Sequence, residues 1–246
     1  MQSSQEKLGT VRSYWKDFLA CSDVHLDTSK VWALPHAEKV LDQIDDDEIY
    51  ILEWKNGGTI VSVSSRLVEK VSVILWWGES SQIEQKLRAS MNILKKHGPI
   101  ITQYCLDDLG LFDTSLHVRK LTRTDISAYE AFMSTCDAKD SNMVDMDFAN
   151  PFHVFFGFFE EGKILSLGNY QRDSNIDKIA HIGILTSAQA KWKGYATFVV
   201  QSLMNDITMN EYIPQWRVHL DNVASQKMAV DFKFSEILRS YSLISS

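Results

Sequence analysis

Apolar and polar residues alternate most cleanly over residues 179–186, where Ile182, Ile184 and Thr186 point one way and His181, Gly183 and Leu185 the other. That period of two is the mark of a strand. A short polar connection leads into Lys191-Trp192-Lys193-Gly194-Tyr195-Ala196, after which Ala196, Val199, Val200, Leu203 and Ile207 recur at helical spacing. The pattern predicts a strand, a glycine-bearing turn and a helix. Upstream, Leu8, Val11, Tyr14, Trp15 and Phe18 predict a helix over 7–20, with a second, short one over 37–43. Asn56-Gly57-Gly58 between the β-rich runs 48–54 and 59–64 predicts a hairpin. Residues 66–77 fit helix or strand. Ser81-Gln82-Ile83-Glu84 reads as a capping box, and Ile83, Leu87, Met91 and Leu94 share a face, which predicts a helix over 81–97 stopped by Gly98-Pro99. A strand over 99–106 and a polar linker over 107–117 follow. Beyond them come a strand turning into a capped helix (118–136), an acidic irregular stretch (137–150) and a hairpin of 152–160 and 163–172 about Glu161-Gly162. The prediction is an α+β protein with a mixed sheet, divided into residues 1–110 and 117–246.

Composition narrows the classes. The chain has 246 residues, 45% hydrophobic and 23% charged, which is enough for a sizeable core. A formal net charge of −7 argues against a nucleic-acid or anionic-membrane binder and is compatible with a cationic amine substrate. Cys21, Cys105 and Cys136 stand far apart in no metal-ligand spacing, so no metal site is expected and the thiols read as reduced. No apolar run approaches the ~20 residues of a membrane span, and residues 1–15 carry no signal-peptide core. The expectation is a cytoplasmic protein. A homodimer stays open.

The strand, turn and helix also make a place for phosphate. The first N–H groups of a helix lack internal partners and carry partial positive charge. Gly194 lets a backbone approach an anion, and Lys191 and Lys193 add charge beside it. A surface connection with two solvated lysines is the alternative, and the GxxxxGK[ST] pattern is absent.

The stretch Lys191 to Ala196 resembles the acyl-CoA motif (Arg/Gln)-x-x-Gly-x-(Gly/Ala) of the GNAT superfamily of N-acetyltransferases, with lysine at the usual Arg/Gln place. A predicted strand over 216–220 precedes Asn222-Val223-Ala224-Ser225, which resembles that superfamily's Asn-x-x-(Ala/Ser). Lys233-Phe234 stands at its usual Gly-Phe. The stretch 118–125, a strand carrying arginine that turns into a helix starting at Asp125, looks like the common GNAT opening. The resemblance covers about residue 118 onward and implies the GNAT acyl-CoA N-acyltransferase fold there. The smaller α+β N-terminal part resembles, in element order alone, the degenerate half that precedes the catalytic module in some two-lobed GNAT proteins.

The resemblance implies acetyl-CoA as cofactor and a primary amine of a small molecule or peptide as acceptor, with direct attack in a ternary complex. Pantetheine amides would pair with an open strand edge at Ile184, Leu185 and Thr186. The pyrophosphate would meet Lys191, Trp192, Lys193, Gly194, Tyr195, Ala196 and Thr197. Asn222 and Ser225 would orient cofactor or substrate, or else only cap a helix. An ammonium must lose a proton before it attacks. The carboxylate many members carry on the strand is missing, so His181 is the candidate base, with Glu160, Asp173 and Asp177 behind it. The usual proton-donating tyrosine is replaced by Ala229, and Tyr241 or water is left for that role. A CoA-binding module without catalysis and a purely structural protein are the competing readings.

Overall fold

The computed structural model describes residues 2–41, 44–45, 48–76, 80–142, 144–172 and 178–245. In chain order the elements are α1 (Ser4–Phe18), α2 (Asp23–Asp27), β1 (Val31–Pro35), α3 (Glu38–Leu41), β2 (Glu48–Trp54) and β3 (Thr59–Val63). Then come α4 (Val68–Leu75), α5 (Ile83–Ser90), β4 (Ile93–Tyr104), β5 (Val118–Lys120), α6 (Ile126–Met133) and α7 (Ala138–Ser141). The chain finishes with β6 (His153–Glu160), β7 (Lys163–Arg172), β8 (Ile179–Thr186), α8 (Tyr195–Met209), β9 (Ile213–His219), α9 (Val223–Asp231) and β10 (Ser235–Ser245). Asp42, Gln43, Trp77 and Met143, which fall in predicted segments, lie outside the described residues. The α+β class with mixed strand directions is as expected. No helix among the described residues is long and apolar enough to cross a membrane.

The chain forms two compact units that interleave in sequence. The first takes Met1–Lys7, Tyr104–Trp216 and Phe232–Phe234; the second takes Leu8–Gln103, Arg217–Asp231 and Ser235–Ser246. This differs from the sequential division 1–110 and 117–246. The reason is long-range pairing: β10 runs antiparallel to β2, with Tyr241 opposite Ile51 and Leu243 opposite Ile49.

In the first unit the strand order is β9-β8-β7-β6-β5, antiparallel except for the β8/β9 pair. The alternation read in β8 holds. Ile182 and Ile184 pack with Val199, Leu203 and Ile207 of α8, whereas Leu185 joins Leu121, Phe132 and Met146 on the other face. Helix α8 lies close because β7 has glycine beneath it. A Cβ at Gly168 would stand 2.8 Å from Leu203 Cδ1 and 2.9 Å from Val199 Cγ1. The buried Tyr170 hydroxyl donates to Asp206 Oδ2 at 2.7 Å and fixes the helix along its axis. The segment read as a linker is pinned to α8. The Phe112 N–H donates to Asn205 Oδ1 (2.8 Å), and Asn205 Nδ2 donates to the Phe112 carbonyl (2.9 Å).

In the second unit the order is β1-β3-β2-β10-β4. The β2/β3 hairpin forms as predicted, and β1 lies parallel to β3. Its core gathers Ile49, Ile51, Val61, Val63, Val71, Leu75, Ile83, Leu87, Tyr241 and Leu243. The ambiguous 66–77 stretch contains helix α4. The helix predicted over 81–97 ends at Ser90, where the Met91 N–H caps it by donating to the Leu87 carbonyl. Residues 93–97 instead begin a long strand, and Leu94, counted into the apolar face, is 65% exposed.

Candidate functional site

The end of β8 is open on one side. Its pairing with β9 runs from Ile179 opposite Ile213 to Ile182 opposite Trp216 and stops there, while its pairing with β7 continues to Thr186. The Ser187 N–H donates to the Leu165 carbonyl, so Leu185 and Gly183 also turn their main-chain groups toward β7. By the same alternation, the N–H and C=O groups of Ile184 and Thr186 face away from β7, where no strand is paired to them among the described residues. Thr186 Oγ1 bonds Ser166 Oγ at 3.0 Å, and Ser166 Oγ donates to the Leu185 carbonyl at 3.1 Å, which holds this end of the strand in place. The next residue, Ser187, has a buried hydroxyl with no hydrogen-bond partner among the described residues.

The loop after β8 passes through a one-turn 3₁₀ helix, Ala188–Ala190, and enters α8. Trp192 has φ +69° and Gly194 φ +81°, both in the left-handed region. Glycine adopts that conformation freely, whereas tryptophan is strained in it. A Cβ at Gly194 would meet nothing within 4 Å, so the space above its backbone is open. The Thr197 N–H returns to the Gly194 carbonyl at 3.0 Å and closes the first turn. The N–H groups of Trp192, Gly194, Tyr195 and Ala196 have no backbone acceptor among the described residues. Tyr195 stacks on Phe158 at 4.1 Å, which sets the direction of the helix start. Lys193 Nζ lies 6.0 Å from the Tyr195 ring centre. Lys191 is paired with Asp140 Oδ2 at 2.8 Å, a contact that holds it protonated and offsets its charge. Trp192 is 91% exposed.

The unpaired amide edge, the orphan Ser187 hydroxyl and the open cradle at Gly194 suit a ligand with backbone-like amides joined to a diphosphate. They lie consecutively within residues 184–196 of one unit. His181 is half-buried on the β8 face that carries Gly183 and Leu185, in register with Gln171 and Gln215. Glu160 ends β6; Asp173 and Asp177 lie outside the described residues.

Asn222 and Ser225 belong to the second unit. There Asn222 Oδ1 accepts from the Ser225 N–H at 3.1 Å, an N-cap bond at the start of α9. Lys233, at the expected glycine place, has φ +59°, the conformation that position demands. Phe234 packs edge-on against Trp216 at 5.5 Å. Ala229 is fully buried. Tyr241 is a core residue of the second unit, with Lys96 Nζ 4.5 Å from its ring centre. Burial, followed by the charges of Glu53 and Glu84, pushes its hydroxyl ionisation upward.

Across unit 1, Asn169, His153 and Asp145 form a polar group against Gly183 that the sequence did not single out. Asp145 lay within the acidic stretch, and nothing in its spacing marked it.

No protein-family model matches the sequence, and no curated protein matches it. Solved structures do. A GNAT-family protein from Novosphingobium aromaticivorans matches with a TM-score of 0.51 at 13% identity, covering 63% of this chain and 68% of that one. The chain has the GNAT fold. A GNAT-family acetyltransferase from Colwellia psychrerythraea matches with a TM-score of 0.49 at 16% identity. That match covers 69% of this chain and 63% of the other, so the chain spans a little under two thirds of that protein.

Proposed function

We propose that the protein is an N-acetyltransferase that uses acetyl-CoA and acts on a primary amine of a small molecule or peptide. The observation that carries this reading is the unpaired edge at Ile184 and Thr186 leading directly into the amide cluster around Gly194. Acetyl-CoA, when bound, supplies an acetyl group activated as a thioester. The main-chain groups of Ile184 and Thr186 bind its two amides as a neighbouring strand would. The Ile184 N–H is also the natural donor for charge that develops on a carbonyl oxygen at this edge. The N–H groups of Trp192, Gly194, Tyr195 and Ala196 bind diphosphate at the positive end of the α8 dipole. Lys193 adds a full charge, and Lys191 does so when it leaves Asp140. His181 and its neighbours on β8 face the side on which the amine is received. Water would return the proton to a departing thiolate, since Ala229 carries no titratable group.

Calorimetric titration with acetyl-CoA tests this. Binding is expected, and Gly194→Asp is expected to weaken it by about tenfold or more, since a like charge enters an anion cradle. No binding at millimolar ligand ends the proposal. A second reading, a CoA-binding module without catalysis, is favoured by the buried Ala229 and by Tyr241 lying in a core. Thiol release from acetyl-CoA in the presence of a broad amine panel separates the two.

A further inference from the structure

Strand β8 carries no carboxylate, yet one stands beside it. A Cβ on Gly183 would come within 2.6 Å of Asn169 Oδ1, 3.4 Å of Met146 Cε and 3.6 Å of Val144 Cβ. Residues 144–146 therefore cross the strand at this glycine, and only a residue without a side chain leaves room for the Asn169 amide. That amide is oriented by its Nδ2, which donates to the Asp145 carbonyl at 2.8 Å and lies 3.2 Å from His153 Nδ1. With Nδ2 as the donor of that contact, Nδ1 accepts and Nε2 carries the ring N–H. The His153 side chain is fully buried, and Nε2 has no hydrogen-bond partner among the described residues. It points at Asp145 Oδ2, 3.6 Å away. The Asp145 carboxylate is 58% exposed, and its other oxygen accepts from the Asp147 N–H at 3.3 Å. The Asp147 N–H holds one carboxylate oxygen, the unpartnered His153 Nε2 lies beside the other, and the exposed side keeps lone pairs open.

We propose that Asp145 receives the ammonium group of the acceptor and takes its proton, which rests on the acyltransferase reading above. The transfer breaks one N–H bond of the ammonium and forms one O–H bond on Asp145. The positive and negative charges vanish together, and the nitrogen keeps the lone pair it needs to attack. Placement supports Asp145 over His181. Asp145 is tied through Asn169 to Gly183, the residue before Ile184, and its carboxylate is open to solvent. His181 lies two residues farther back, flanked by Gln171 and Gln215 within the sheet. Asn169 and His153 are positioning residues.

The test is Asp145→Asn, which keeps an oxygen for the Asp147 N–H and removes the charge, beside Asp147→Asn as a control on the same segment. Thiol release from acetyl-CoA is followed with three alkylammonium probes (spermidine, tyramine and a lysine-containing peptide) and with hydroxylamine, which is already neutral at pH 7. Probe binding to the CoA-saturated protein is measured by calorimetry. Asp145→Asn is expected to lower kcat with the alkylammonium probes by about a hundredfold and to weaken their binding, with a far smaller loss for hydroxylamine. Acetyl-CoA affinity is expected to stay unchanged, and Asp147→Asn to cost little. An unaltered Asp145→Asn enzyme, an equal loss with hydroxylamine, or an equal loss from Asp147→Asn overturns the assignment. A wild-type protein that binds acetyl-CoA yet neither binds nor acetylates any probe also overturns it. Failure to bind acetyl-CoA ends the acyltransferase reading instead.

Discussion

Trp192 and Gly194 both hold left-handed backbone conformations two residues apart, and only one of them is suited to it. For an L-residue with a side chain the left-handed region costs roughly 1–2 kcal/mol, and the extra chain entropy of glycine recovers only part of that on replacement. The indole is 91% exposed, so its removal forfeits little packing. Trp192→Gly is expected to stabilise the fold by about 1 kcal/mol in urea denaturation. Gly194→Ala is expected to destabilise it by about the same amount through backbone strain alone, since nothing lies within 4 Å of the added carbon. At this scale the sequence was informative where a residue's chemistry is intrinsic. Gly194 was legible as a turn glycine, and Asn222 as a cap. Lys191 was not legible as Asp140's partner, because a separation of 51 positions carries no periodic signal. Nor was the Asn169 amide, which matters only because Gly183 has no side chain.

Among the elements, the opening of the first unit shows how a helix start is locked. Asp125 accepts from Arg119 at 2.6 and 2.9 Å and from the Thr122 N–H at 2.8 Å. The Arg119 contact first, and the Thr122 N–H second, hold its carboxyl well below the usual carboxylate range. A group whose folded pKa is depressed stabilises the fold fully above its unfolded pKa of about 3.9 and loses that contribution as pH falls toward the folded value. Wild-type Tm is therefore expected to drop on acidification below about pH 4, and Asp125→Asn to start lower at neutral pH and flatten that limb. A thermal melt series from pH 6 to about pH 2 checks both, and parallel curves for the two proteins would contradict the assignment. This capped helix was readable because turn chemistry and period agree. The same is true of β8, α8 and the two hairpins. The helix predicted over 81–97 was not, because its apolar spacing continues by coincidence into Leu94 while the chain has turned into β4.

At the scale of the whole chain, the division into units was the least legible feature, because it depends on β10 returning to pair with β2 across almost the entire sequence. The three cysteines are placed to probe it. Cys21 belongs to the second unit, and Cys105 and Cys136 to the first. Burial pushes the Cys21 and Cys105 thiols up to about 11 and raises Cys136 as well, so at pH 8 the folded protein presents protonated, slow-reacting sulfur. Native protein is expected to react with a chromogenic disulfide far more slowly than released CoA thiol, which keeps the thiol-release assay clean; urea-unfolded protein should titrate all three. The order of labelling adds a second reading. Each unit is assembled from three separated segments, so neither can be completed by a contiguous stretch folding alone. Mass spectrometry after pulse labelling across a urea series is therefore expected to show Cys21 and Cys105 becoming reactive at one shared midpoint. Two well-separated midpoints would mean that the two units unfold independently, and would contradict this expectation.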